Sequence, residues 1–130
     1  MYEKKCAHSY LKTSIQTSSR GEILIMLYES AIRNIENAIQ AIQNNEISKK
    51  CQSIIKAHEI INELINTLNF EIGGKLSQDL ERIYLFITRQ LVQANIGNSI
   101  KILSEINKIL ENLLSAWKEA VKKFKKGNFN

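Results

Sequence analysis

The spacing of apolar residues predicts an all-α protein, an antiparallel four-helix bundle with a short additional N-terminal helical segment. Three observations carry this. Apolar residues recur three and four apart along four separate stretches, which lays each on one helix face. The 130 residues contain no proline, so nothing interrupts a helix with a missing donor or a ring clash. The breaks between the stretches are short and rich in Gly, Asn and Ser, which makes consecutive helices antiparallel neighbours.

Residues 1–17 form the weak N-terminal segment, and the long helices are expected over 19–43, 46–70, 75–95 and 98–124, all in one domain. In the first helix the stripe is Ile25, Tyr28, Ile32, Ile35, Ile39 and Ile42. A capping box, Ser19-Arg20-Gly21-Glu22, starts it, with the hydroxyl accepting from the Glu22 amide and the carboxylate reaching back. The six apolar side chains from Ile23 to Tyr28 would suit a buried strand, but the cap and the continuing stripe make them helical. Asn44-Asn45-Glu46 stops one helix and restarts the next, whose stripe is Ile47, Cys51, Ile54, His58, Ile61, Ile65 and Leu68. Gly73-Gly74 is expected to end it, because glycine accepts the left-handed conformation found there. The third stripe is Leu76, Leu80, Ile83, Ile87, Leu91 and Ala94. Gly97-Asn98-Ser99 then separates the last two helices, with Asn98 or Ser99 as the cap. The fourth stripe is Leu103, Ile106, Leu110, Leu113, Trp117, Ala120 and Phe124.

Composition narrows the function classes. Hydrophobic residues make up 44% and charged residues 24%, the balance of a globular protein. No apolar run reaches the ~18 residues of a membrane span, and MYEKKCAHSY lacks the apolar core of a secretory signal. The expected location is cytoplasmic, with no stable membrane insertion. Cys6 and Cys51 form no CxxC unit and are expected as free thiols. The net charge is +5, and Lys118, Lys122, Lys123, Lys125 and Lys126 gather late. An anionic partner would use them, but a helix C-terminus also favours lysine, and no aromatic–basic interleaving extends along the chain. No nucleic-acid partner is expected.

Site chemistry is missing. HEIIN, from His58, resembles the zinc-protease pattern HExxH, but Asn62 stands where the second ligand belongs. Di-iron bundles need Glu-x-x-His on two helices; here Lys5 and Ile55 precede His8 and His58 by three. No phosphate loop or nucleophile elbow occurs, and Glu59, Glu63, Asp79 and Glu81 fall at surface positions. The chain is expected to have no catalytic residues, no metal and no cofactor, and not to be an enzyme.

Apolar residues exceed what the stripes need. The excess comprises Ile23, Leu24, Met26 and Leu27, then Ile60 and Leu64, then Tyr84, Leu85, Phe86 and Val92. A broader buried face absorbs Leu24, Leu27, Leu64 and Tyr84, but not Met26 or Leu85-Phe86. Exposed apolar groups suggest self-association or a groove for an amphipathic partner. Residues 2–15, carrying Tyr10, Leu11 and Ile15, are a third candidate cover.

MYEKKCAHSYLKTSIQTSSRGEILIMLYES, KAHEIINELINTLNFEIGG, LERIYLFITRQLVQANIGNSI and LLSAWKEAV together resemble the flagellar secretion chaperone FliS family, in order and over nearly the whole chain. The resemblance implies a cytoplasmic helical bundle that binds the C-terminal segment of newly made flagellin. It further implies that binding blocks premature polymerisation and keeps the subunit competent for flagellar type III export. The export gate, and a co-chaperone or flagellin regulator, are further implied partners, and the N-terminal segment can occupy part of the groove. Residue by residue, Tyr10 matches a family tyrosine, Glu22, Met26, Leu27 and Tyr28 the first-helix motif, and Ile61, Leu64 and Leu68 the second. Asn95 and Trp117 match the family asparagine and tryptophan, with Trp117 expected as a core anchor at one bundle end and Asn95 as a cap or a contact. The candidate flagellin-binding set is Tyr10, Ile23, Met26, Leu27, Ile60, Leu64, Leu85 and Asn95. Leu68 is expected on the seam and Leu64 off it, so that a carboxylate at Leu64 costs binding more than stability. Ala7 stands where the family often has tyrosine, which weakens a self-docked N-terminus, and Arg20 stands where it often has proline. The competing reading is a generic helical adaptor that dimerises through Met26 or Leu85-Phe86.

Overall fold

The computed structural model describes residues 20–127, with side chains through Phe124. Its four helices are α1 (Arg20–Gln43), α2 (Ile47–Asn66), α3 (Phe70–Gly97) and α4 (Ile100–Gly127). Each helix packs on the next, and α4 closes back on α1, while the diagonal pairs α1/α3 and α2/α4 are not backbone neighbours. This is the antiparallel up-and-down four-helix bundle that the stripes predict. The N-terminal segment and the Ser19 half of the capping box lie outside the described residues. Among the described residues, no helix is long and apolar enough to cross a membrane.

The core runs along the middle of all four helices. It holds Ile23, Leu27, Tyr28, Ala31, Ile32, Ile35 and Ala38 from α1, and Ile54, Ala57, Ile61 and Leu64 from α2. From α3 come Leu80, Tyr84, Ile87, Leu91 and Ala94; from α4, Leu103, Ile106 and Leu110. Several stripes are thereby rotated from their predicted phase. Ile25, Ile39 and Ile42 are only half-buried, as are His58, Ile65 and Leu68, while Ile47, Leu76, Ala120 and Phe124 are exposed. The cause is alanine. Ala31, Ala38 and Ala57 are sealed from solvent, where their small side chains let helix backbones approach. A periodicity read from large side chains misses them and slides toward a flanking isoleucine.

The connections also differ in part. α2 stops at Asn66, not at the glycines, and Asn69 starts α3 by accepting from the Ile72 amide at 3.1 Å. Gly74 lies inside α3, where φ +49° and ψ −120° bend the first turn away from the helix body. At the other end Ser99 is the cap of the last helix, and Asn98 serves the helix before it. Asn98 closes α3 in the left-handed conformation at φ +49°, and the Ser99 hydroxyl accepts from the Ile102 amide at 3.1 Å to open α4. α1 meets α4 closely at Gly21, where a Cβ would come within 2.6 Å of Val121.

Candidate functional site

Polar groups inside the bundle are few and serve its own architecture. Tyr28 and Tyr84 share a hydroxyl–hydroxyl hydrogen bond of 2.5 Å across the α1/α3 diagonal, with their rings edge-to-face at 6.3 Å. Burial raises both phenol pKa values; for Tyr28 the neighbouring Tyr84 and Trp117 donors offset part of the rise. The half-buried Trp117 packs against the core, with its indole N–H sealed from solvent near enough to Tyr28 to favour its phenolate, though among the described residues it reaches no acceptor in hydrogen-bond geometry. Nothing in this cluster is exposed to a substrate. Among the described residues no group of three or more His, Cys, Asp or Glu could hold a metal. Asn62, at the second HExxH position, is hydrogen-bonded to His58 Nδ1 at 3.2 Å.

The candidate binding residues separate into three groups. Ile23, Leu27 and Leu64 are core; Leu64 is 0% exposed, so its expected off-core position is a correction, and Leu68 is the half-buried one. Ala57, seven residues before Leu64, places that face of α2 inward. Met26, Ile60 and Asn95 are half-buried, and Leu85 is 41% exposed. Tyr10 lies outside the described residues. The remaining four do not meet in one pocket. By helical phase Met26 and Ile60 lie on the α1 side of α2, whereas Leu85 and Asn95 lie on its α3 side.

The α2/α3 flank is the more developed surface. Its register is fixed at one end, where the Lys50 ammonium donates to the Asn95 carbonyl at 2.9 Å and to Asn98 Oδ1 at 2.7 Å. Lys50 is only 5% exposed. A cation at the carbonyl end of α3 is favoured by that helix's dipole, which offsets the cost of burying the charge. The Cys51 thiol donates to Asn95 Oδ1 at 3.6 Å. These bonds turn the Cys51 side of α2 toward α3 and bring the flanks together. Along them Ile47 and Ile55 of α2, and Leu85, Val92 and Ile96 of α3, stand exposed. Leu85, Val92 and Ile96 share one face at seven and four residues' spacing. Ile55 and Ile96 escape a reading centred on the isoleucine stripe; centring α2 on Ala57 instead places Ile55 outward. The result is an apolar strip floored by the core, with Asn95 and His58 half-buried within it. It suits an apolar polypeptide segment.

Comparison with known proteins agrees with a binding role. Residues 2–124 match the family model for the flagellar protein FliS. The chain is 37% identical over 118 residues to the flagellar secretion chaperone FliS of Bacillus subtilis (strain 168), covering 91% of this chain and 87% of that one. It is 29% identical over 126 residues to the flagellar secretion chaperone FliS of Escherichia coli (strain K12), covering 93% of both. A solved structure described as a flagellar chaperone from bacteria superposes with a TM-score of 0.76 over 93% of this chain and 98% of that one, at 21% identity. That likeness shows the shared fold. The relatives are named as chaperones, a non-enzymatic family. The chain belongs to the flagellar protein FliS family.

Proposed function

We propose that this chain is a cytoplasmic export chaperone that binds the C-terminal segment of newly made flagellin, keeps it from polymerising early and delivers it to the flagellar type III export gate. The observation that carries the reading is the exposed apolar strip of Ile55, Leu85, Val92 and Ile96 on a chain of this family. Met26 and Ile60, on the opposite flank of α2, extend the contact if the client wraps around the helix. Asn95 contributes a polar contact between the two walls. A client that is unstructured before binding loses conformational entropy on capture, which limits affinity and permits release. A co-chaperone or flagellin regulator would share the same surface or its margins.

Co-expression with the cognate flagellin is expected to give a one-to-one complex by size exclusion. Leu85→Ser with Val92→Ser should weaken binding of the flagellin C-terminal peptide at least tenfold while leaving the melting temperature nearly unchanged, since both side chains are exposed. Leu64→Ala should do the reverse, costing about 2–5 kcal/mol of stability. A folded, soluble pair that never associates would refute the proposal. A concentration-independent dimer of the isolated chain, lost in the Leu85/Val92 variant, would favour the self-associating adaptor.

A further inference from the structure

The end of the bundle where α4 stops has a surface unlike the rest. Because α3 and α4 are consecutive and antiparallel, the start of α3, including its bent first turn before Gly74, lies at the end of the bundle where α4 stops. The Gly21–Val121 approach sets the start of α1 there as well. At this end Ile72 is 86% exposed, Phe124 is 69% exposed, and Phe70 and Leu76 are also open to solvent. By helical phase Leu76 and Phe124 point toward each other's helix, yet among the described residues nothing covers either. Around them stand the exposed Lys122 and Lys123, and Lys118, which reaches Glu29 at 3.5 Å. Lys75 is 3.4 Å from Asp79. Residues 118–126 hold five lysines against the single Glu119; of the other acids near this end, Glu71 is exposed, while Glu29 is engaged by Lys118 and Asp79 by Lys75 and Arg82.

We propose that this basic, apolar end of the bundle is a peripheral docking surface for an anionic lipid bilayer. Lysine ammonium groups attract acidic headgroups within a Debye length, and isolated aromatic and aliphatic side chains beside them enter the headgroup boundary. Nucleic acid would use the lysines but has no use for Ile72 and Leu76, so the mixture favours lipid. The surface lies at a helix terminus, away from the α2/α3 strip, and the inference is independent of what that strip binds.

The test is co-sedimentation of the full chain with vesicles of phosphatidylcholine alone or with about a quarter phosphatidylglycerol. Binding to the anionic vesicles only, released by high salt, is expected. Lys122→Gln with Lys123→Gln should weaken it about twenty-five-fold, from roughly fivefold per lysine. Phe124→Ser with Ile72→Ser should weaken it severalfold with unchanged melting temperature. No anionic-vesicle binding, or equal binding to neutral vesicles, overturns the proposal. So does salt-sensitive retention of duplex DNA in the absence of vesicle binding.

Discussion

Tyr28 and Tyr84 put two phenols in the centre of an aliphatic core, and their protonation is tied to folding. Burial raises both pKa values above the ordinary 10.0, so above pH 10 the unfolded chain releases these protons while the folded one keeps them. The unfolded state then binds fewer protons, and stability falls as pH rises. The melting temperature should therefore drop above pH 10, with the phenolate absorbance of this pair appearing only on unfolding. A Tyr28→Phe, Tyr84→Phe variant should show a shallower drop; the same slope would mean that other groups set alkaline stability. At this scale the sequence was partly legible. Leu85 and Phe86 could be read as surplus because they are large and adjacent, whereas the depth of Leu64 depends on alanines that carry no hydrophobic signal of their own.

Between helices, polar and glycine residues marked the connections, but their roles were harder to read. Ser99 and Asn98 are paired caps, each for a different helix. Gly73-Gly74 looks like a helix end because the φ > 0 it supplies is used at ends, yet Asn69 had already restarted the helix. Its carbonyl accepts from both the Gly73 amide at 2.8 Å and the Ser77 hydroxyl at 2.9 Å, which holds the first turn of α3 across the bend. Gly74→Ala isolates the backbone term, because a Cβ there meets nothing within 4 Å. The substitution should cost about 1–3 kcal/mol by chemical denaturation. A neutral result would show that the bend relaxes into continuous helix.

For the molecule as a whole, the fold was legible because four stripes, the short polar breaks and the absence of proline all agree. The binding surface was less so: exposure depends on the phase of each helix, and a one-residue rotation moves a residue by about 100°. Helix register is specified in part by Asn107 of α4. It is buried, its Nδ2 donates to the Ile32 carbonyl of α1 at 3.3 Å, and its Oδ1 has no partner among the described residues. Asn107→Leu should raise stability by about 1 kcal/mol, as measured by the denaturation midpoint. A loss instead would show that the orphan oxygen is satisfied in solution. Lys50 has a different reach. Because it pins α2 to the last turn of α3, and residues 67–69 join the same two helices at the opposite end, the pair is tied at both ends. The apolar strip therefore behaves like a span between two piers: its ends are held at fixed separation, and a bound segment must fit the width they set.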